Sequence, residues 1–179
     1  DHDFKLLTNY NYATSNGSIL DMSMGQLYKK IIIICDFNPS SAILDTDPNN
    51  LLTKLKKYIN LLGKGNHCNI YRYNEIMSKG NKNTILIEET KRKFTIVLPD
   101  INNSKINYDP TIAYSNGCQA ICMKHQHLDN NLLGYNQNFK ENNNYSFIIK
   151  KGELINVVPE PLARPSGIDI SVPLLNQNN

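Results

Sequence analysis

The sequence predicts an α/β fold with parallel strand pairing. Residues 30–35 (KIIIIC) and 95–98 (TIVL) are short β-branched runs bounded by polar residues. Runs of this kind are typical of parallel strands covered on both faces. Segments with helical spacing lie between them, and strands that alternate with helices indicate a parallel sheet.

A helix is predicted over residues 47–62. Asp47 is suited to the N-cap and Pro48 to the first helical position. Apolar residues then recur at helical spacing until Gly63, namely Leu51, Leu55, Tyr58, Ile59 and Leu62. Residues 69–73 predict a short strand, and residues 83–91 predict a second helix.

The rest of the chain continues the alternation. The strand at 95–98 is stopped by Pro99, and a third strand is predicted at 120–126. A helix over 129–138 and a fourth strand over 145–149 follow. We assign residues 1–25 to a polar N-terminal segment, 26–158 to the main domain, and 159–179 to an extended, proline-containing tail that lies on a partner.

Composition narrows the class of protein. The chain has 179 residues, a net charge of +3 and a sequence pI near 8.6. Its lysines are scattered among acids, so no nucleic-acid footprint is indicated. No apolar run approaches the roughly 20 residues that cross a bilayer. The start at Asp1, without Met or an apolar leader, predicts processing or an upstream region.

The cysteine spacing indicates a type of compartment, and the asparagine content indicates a type of coding genome. The four cysteines show no scaffold spacing, which favours free thiols in a reducing compartment, either cytoplasm or virion. Asn accounts for 27 of the residues. Together with abundant Lys and Ile, this hints at an A/T-rich coding genome, such as that of a DNA virus.

Several fragments, taken in order, carry a family resemblance. They are QLYKK before the isoleucine run, LLTKLKKYIN at 51–60, YRYNE at 71–75, KRKFTIVLP at 91–99, NYDP at 107–110, and GCQ at 117–119. After GCQ come an apolar run, an Asn cluster with an aromatic, and a second apolar run that ends in lysines at 151. This order resembles the catalytic barrel of phosphoinositide-specific phospholipase C, from the last strand of its first (X) half through its second (Y) half.

The resemblance implies half of a TIM-type (β/α)₈ barrel. Half a barrel exposes strand edges and core, so an upstream segment or a partner chain should complete it. The implied reaction is calcium-assisted cleavage of a phosphoinositide at a membrane surface. In the family, the catalytic histidines and the Ca²⁺ ligands lie in the first half, so the resemblance assigns no catalytic residue and no metal ligand to this chain.

The family's substrate-binding positions fall at five places in this sequence: Ile34, Asp36, Arg72, Ile96 and Leu98. Lysines, a serine, an arginine and a tyrosine that clamp phosphates in the family are replaced here. Charge-assisted hydrogen bonds to a phosphate contribute about 1.5–3 kcal/mol each. The three aliphatic residues offer none, and a carboxylate would repel the ligand. Only Arg72, which stands where the family has the serine, could contribute a positively charged guanidinium.

Other readings of individual residues are less specific. Arg72 between two tyrosines is either an anion site or a surface arginine stacked on a ring, and we favour the second. His125 and His127 would share one face of a strand and could hold a metal, although such a pair is more often structural. Cys118 and Cys122 have no adjacent histidine that would make either of them a nucleophile.

Three hypotheses follow. The first is a catalytically degenerate phospholipase C-like domain that serves as a structural or interaction component, with a virion as one setting. The second is an active phosphatidylinositol phosphodiesterase whose histidines and Ca²⁺ ligands lie upstream. The third is a lipid-binding module without turnover.

Overall fold

The computed structural model describes residues 5–7, 19–36, 54–55, 58–102 and 104–156. Seven strands are described: β1 (Lys5–Leu6), β2 (Lys30–Ile31), β3 (Ile33–Cys35), β4 (Ile59–Leu62), β5 (Cys68–Arg72), β6 (Phe94–Leu98) and β7 (Ala120–Ile121). The helices are α1 (Met24–Leu27), α2 (Tyr73–Lys79), α3 (Thr84–Arg92), α4 (Thr111–Ser115) and α5 (Asn130–Glu141), with 3₁₀ turns at Ile19–Asp21 and Gly152–Leu154. The predicted α/β class is confirmed.

The strands form three small sheets, and every ladder pair is parallel. β1 pairs with β2, β3 pairs with β4, and β5, β6 and β7 form a three-stranded sheet in that order. Parallel neighbours need a long connection, and a helix lies between β1 and β2, between β5 and β6, and between β6 and β7. The described strands do not form the single continuous sheet that a half-barrel would have.

The link between β4 and β5 departs from the alternation. Only residues 63–67 separate the two strands, and Lys64 forms an antiparallel bridge with Asn69. Ile70 donates its backbone N–H to the Gly63 carbonyl at 2.7 Å. A connection this short cannot hold a crossover helix, so the chain reverses here instead of adding a parallel neighbour.

The core lies on both faces of β6. Val97 belongs to a buried cluster formed with the helices, whose other members include Ile76, Leu86 and Leu132. Its neighbour Ile96 packs in a second cluster. Successive strand residues point to opposite faces, so β6 is covered on both sides, as its apolar sequence predicts.

The predicted helix at 83–91 is confirmed as α3. The Asn83 side chain accepts the Leu86 N–H at 3.0 Å, and Lys91 and Arg92 occupy the last turn, where cations favour the helix dipole. The helix predicted at 129–138 is confirmed as α5, with Asp129 as its N-cap. The sequence patterns did not identify α2, which begins directly after β5.

The prediction that the helix at 47–62 runs to Leu62 is wrong. Lys54 and Leu55 are helical, but residues 59–62 form β4. The buried Asn60 side chain accepts the Ile33 N–H at 2.9 Å and donates to the Leu7 carbonyl at 2.7 Å. Four apolar residues in five fit a helical face and a doubly buried strand equally well, and these tertiary hydrogen bonds select the strand.

Two other strand predictions need correction. The strand predicted at 120–126 is only Ala120–Ile121, because the chain turns at residues 125–126. Residues 145–149 form no strand, since the Ser146–Ile149 backbone has no hydrogen-bond partner in the described part of the chain. The strands predicted at 69–73 and 95–98 are confirmed as β5 and β6.

Some expectations lie outside the described residues. They include the Asp47 cap with Pro48, and the tail at 159–179. Within the described residues, no helix is both long and apolar enough to cross a membrane.

Candidate functional site

The carboxyl edge of the three-stranded sheet is the candidate site. In open parallel sheets, ligands bind in the crevice beyond the carboxyl ends of the strands. Here β5 ends at Arg72 and β6 at Leu98, and these two residues are register partners. The loops that follow β6 and β7 cover the same edge.

The Arg72 side chain and backbone both form hydrogen bonds within the protein. Its Nη1 donates to the Pro99 carbonyl at 2.9 Å, and its backbone N–H donates to the Glu75 carboxylate at 2.6 Å. The next turn is held in the same way, because the Asn74 N–H donates to Asp100 Oδ1 at 3.1 Å. The guanidinium therefore braces the end of β5 against the loop after β6.

Two tyrosine rings stack beside Arg72. The ring centroids of Tyr73 and Tyr108 are 4.1 Å apart and the planes differ by 17°. The Tyr108 hydroxyl donates to the Cys122 carbonyl at 2.7 Å, and burial raises its pKa far above the usual range. Burial, together with the Asp109 and Asp100 carboxylates, also raises the pKa of Tyr73. Both phenols are neutral donors at physiological pH.

Asn107 ties the two covering loops together. This side chain is 2% exposed, and its Oδ1 accepts the Lys124 N–H at 2.6 Å. Its Nδ2 donates to the Lys124 and His127 carbonyls at 3.2 and 2.8 Å. Its backbone N–H donates to Asp129 Oδ2 at 2.6 Å, which fixes the loop to the start of α5.

The remaining charged groups of the edge are also engaged. Lys124 Nζ donates to the Ser104 carbonyl at 2.7 Å and to Asn102 Oδ1 at 3.2 Å. Asp109 Oδ1 accepts the Thr111 N–H at 2.9 Å. Backbone donors from Asn107 and Leu132 lower the pKa of Asp129. The polar side chains of this edge therefore hold loops in place.

The edge does not fit the Ca²⁺ that the resemblance implies. Its carboxylates accept backbone N–H groups from Asn74, Thr111 and Asn107. Among the described residues, no group of three or more His, Cys, Asp or Glu side chains could hold a metal ion. A Ca²⁺ site needs six to eight oxygen ligands, and the described residues of this edge do not gather such a set of carboxylates.

Two of the five predicted binding positions lie against the core. Ile34 on β3 and Ile96 on β6 are partly buried, and both pack against the same buried cluster, whose members are Leu7, Ile19, Leu61 and Cys68. Aliphatic side chains at these positions offer no hydrogen-bond donor to a phosphate.

The other three positions lie at, or directly after, the carboxyl ends of strands. Arg72 and Leu98 are opposite each other at the carboxyl edge. Asp36 follows β3, where its Oδ1 lies 3.0 Å from the point that a Cβ on Gly63 would occupy. Burial, and then the Asp36 charge, raises the pKa of Cys68 to about 11.

The expectation that His125 and His127 share one face of a strand is wrong. Residues 124–127 form a turn, so His125 and His127 do not share a strand face. The His125 ring meets Tyr135 edge-on, with centroids 6.3 Å apart. Burial raises the pKa of Cys118 to about 12 and raises that of Cys122, so both thiols are protonated at neutral pH.

Sequence reasoning overlooked Lys124 and the linking role of Asp129. Asp129 was placed at a helix start, but its second oxygen also accepts from Asn107. No local signal reports that contact, because 22 residues separate the two partners. The sequence did contain one signal for these loops, because the aliphatic residues Ile101, Ile106 and Leu128 stand among polar residues there. The structure shows all three side chains exposed.

No protein-family model, no curated protein and no solved structure matches this chain.

Proposed function

We propose that this chain is a phospholipase C-like domain without catalytic activity that serves as a structural or interaction component of a larger assembly, with a virion as one setting. One observation carries the proposal: Ile34 and Ile96, at two positions where the family resemblance implies phosphate-binding residues, are partly buried and both pack against one buried apolar cluster. Aliphatic side chains packed in this way stabilise the fold and provide no donor to a phosphate.

The chemistry of the carboxyl edge supports the same role. Arg72, the one basic residue at a family binding position, donates to the Pro99 carbonyl. Asn107 and Tyr108 hydrogen-bond to backbone groups of the loop that follows β7. A ligand would have to break these bonds, whereas a structural module requires them.

The barrel element of the proposal rests on the family resemblance. Two features agree with it: the strand ladders are parallel and join strands that follow each other along the chain, and β6 is covered on both faces. The reversal at residues 63–67 is a departure from a regular barrel. We expect an upstream segment or a partner chain to complete the sheet edges.

The test is hydrolysis of phosphatidylinositol and of its phosphorylated forms by the full chain, with Ca²⁺ or with a chelator. We expect no release of inositol phosphate above a heat-denatured control. Calcium-dependent turnover would contradict the proposal and favour the phosphodiesterase alternative. The deciding sample is this chain joined to the upstream segment or partner chain that completes it, because the phosphodiesterase alternative places the histidines and Ca²⁺ ligands there.

A second candidate is a lipid-binding module without turnover, and exposed side chains favour it. Ile101 is 87% exposed, Leu128 is 75% exposed and Ile106 is 70% exposed. All three project from loops that Asn107 and Lys124 hold together. Rigid loops with exposed aliphatic tips are suited to the boundary between headgroups and acyl chains.

Vesicle co-sedimentation tests this second candidate. We expect Ile101→Ser with Leu128→Ser to reduce binding to vesicles of phosphatidylcholine alone and of phosphatidylcholine with phosphatidylserine. Ile85→Ser, a change at a 72% exposed residue of α3, is the matched control. Equal binding by all three proteins would exclude a role for the loops.

A further inference from the structure

Residues 146–150 form a largely exposed segment outside the helices and strands. They follow α5 and precede the 3₁₀ turn at Gly152–Leu154. In the described part of the chain, the backbone of 146–150 has no hydrogen-bond partner. Five consecutive residues with unpaired N–H and C=O groups resemble the open edge of a sheet.

Side-chain exposure alternates from Phe147 to Lys150. Phe147 and Ile149 are 73% and 90% exposed, while Ile148 and Lys150 between and after them are partly buried. Lys150 Nζ donates to the Thr90 carbonyl at 3.1 Å, which anchors the segment to the end of α3. A period of two, with one face inward and one outward, is that of a strand.

We infer that residues 146–150 pair antiparallel with the same residues of a second copy of this chain, with Tyr145 and Lys151 flanking the paired stretch. With Ile148 opposite its own copy, Phe147 faces Ile149 of the other chain. Ser146 then faces Lys150, and Tyr145 faces Lys151. Aromatic rings opposite β-branched side chains are favourable cross-strand pairs, and a tyrosine ring attracts a lysine.

The self-complementary Phe147–Ile149 pairs, which a two-fold axis forms twice, favour a second copy as the partner strand, and the lysines select its direction. Paired antiparallel about a two-fold axis, the segment places no lysine opposite another lysine. A parallel copy would put Lys150 beside Lys150 and Lys151 beside Lys151, and like charges directly opposite destabilise a strand pair. A two-fold axis also closes the assembly at two copies.

The inference does not depend on the proposed function. Lys150 reaches the Thr90 carbonyl beside Gln119, whose Nε2 also donates there at 2.7 Å, at the end of the sheet where β6 begins. The candidate site lies at the opposite, carboxyl edge. A dimer could form whether or not the chain binds lipid or hydrolyses it.

Sedimentation equilibrium of the full chain tests the inference. We expect a concentration-dependent dimer, and we expect Ile149→Lys to raise its dissociation constant by about tenfold or more. Ile85→Lys, the same change at a comparably exposed residue of α3, should leave the dimer unchanged. A monomer at every concentration, or a dimer insensitive to Ile149→Lys, would overturn the inference.

Cross-linking and amide exchange test the register. Under mild oxidation, Ile148→Cys should form a disulfide between two copies, identified by peptide mapping, whereas Phe147→Cys should cross-link to Ile149→Cys in a mixture. Cross-linking of Phe147→Cys to itself alone would refute the antiparallel register. Protection of the 146–150 amides in a monomeric sample would show that another part of the same chain covers the segment, and would also refute the inference.

Discussion

The Asn107 side chain and the Lys124 backbone form two reciprocal hydrogen bonds. Asn107 Oδ1 accepts the Lys124 N–H at 2.6 Å, and Asn107 Nδ2 donates to the Lys124 carbonyl at 3.2 Å. The Asn107 side-chain amide thus pairs with the N–H and the C=O of Lys124, as the backbone of a neighbouring strand would in a β-sheet. It holds two loops at the carboxyl edge, where no strand is available.

Asn107→Ala should destabilise the protein by about 3 kcal/mol, because it leaves the Lys124 and His127 backbone groups without their partners in a buried site. Urea unfolding followed by far-UV circular dichroism measures this loss. Asn102→Ala is the control: its side chain accepts from Lys124 Nζ on an exposed loop, so the change should cost less than about 0.5 kcal/mol. Equal losses for the two variants would contradict the role assigned to Asn107.

Two glycines should respond to alanine with opposite signs. Gly117 has φ +75°, and a Cβ there would lie 2.9 Å from Thr90 Oγ1. Gly117→Ala should therefore cost about 2–3 kcal/mol. Gly134 lies within α5 with nothing within 4 Å of its added Cβ, so Gly134→Ala should stabilise by about 0.5–1 kcal/mol. Urea unfolding of both variants measures the two changes, and a shared sign would contradict the conformational argument.

Local signals predicted the elements whose ends carry their own caps or stops. Asn83 and Asp129 begin helices through bonds to residues three positions on, and Pro99 follows the last residue of β6. Each of these features is encoded within a few residues, so a sequence pattern can report it.

The elements and site residues that the sequence did not predict depend on hydrogen bonds between residues far apart in the chain. β4 replaced a predicted helix because Asn60 bonds to Leu7, 53 residues away. The loops of the candidate site depend on Asn107 contacts across 17 to 22 residues. Hydrophobic periodicity carries no information about such pairs. The apolar residues within 58–62 also fit both the helical period of 3.6 and a doubly buried strand.

Asn60→Leu should destabilise the protein by about 2–4 kcal/mol, although leucine has a similar volume. It removes the partners of the Ile33 N–H and the Leu7 carbonyl, and both groups would remain buried. Hydrogen exchange measured by mass spectrometry should show faster exchange at Ile33. Asn74→Leu, a change at an exposed side chain of α2, is the control; exchange at Ile33 that matches this control would contradict the prediction.

The four thiols should differ in their rates of alkylation. Burial raises the pKa of Cys68 to about 11 and that of Cys118 to about 12, and the two side chains are 0% and 6% exposed. Because the thiolate is the nucleophile, iodoacetamide at pH 8 should modify the partly exposed Cys35 well before Cys68 or Cys118. Peptide mapping over time gives the order, and in urea the four rates should converge. Early modification of Cys118 in the native protein would contradict its burial.

Asp129 should make the free energy of unfolding depend on pH in the acidic range. Hydrogen bonds from the Asn107 and Leu132 backbone lower its folded pKa below the ordinary 3.8. A carboxyl whose pKa is lowered by folding binds more protons in the unfolded chain. Its stabilisation is therefore fully present above the unfolded pKa and is lost as pH falls through the folded pKa.

Asp129→Asn isolates this effect, because asparagine also caps helices but cannot ionise. The wild type should be more stable than the variant at pH 7, and the difference should disappear as the pH falls below the folded pKa. Urea unfolding at several pH values from about 2.5 to 7 follows the difference. Glu88→Gln is the control: its carboxylate pairs with Lys91 on the surface at 2.8 Å, so its effect should be small and fade with salt. A stability difference for Asp129→Asn that does not change with pH would show that cap geometry, and not charge, stabilises this junction.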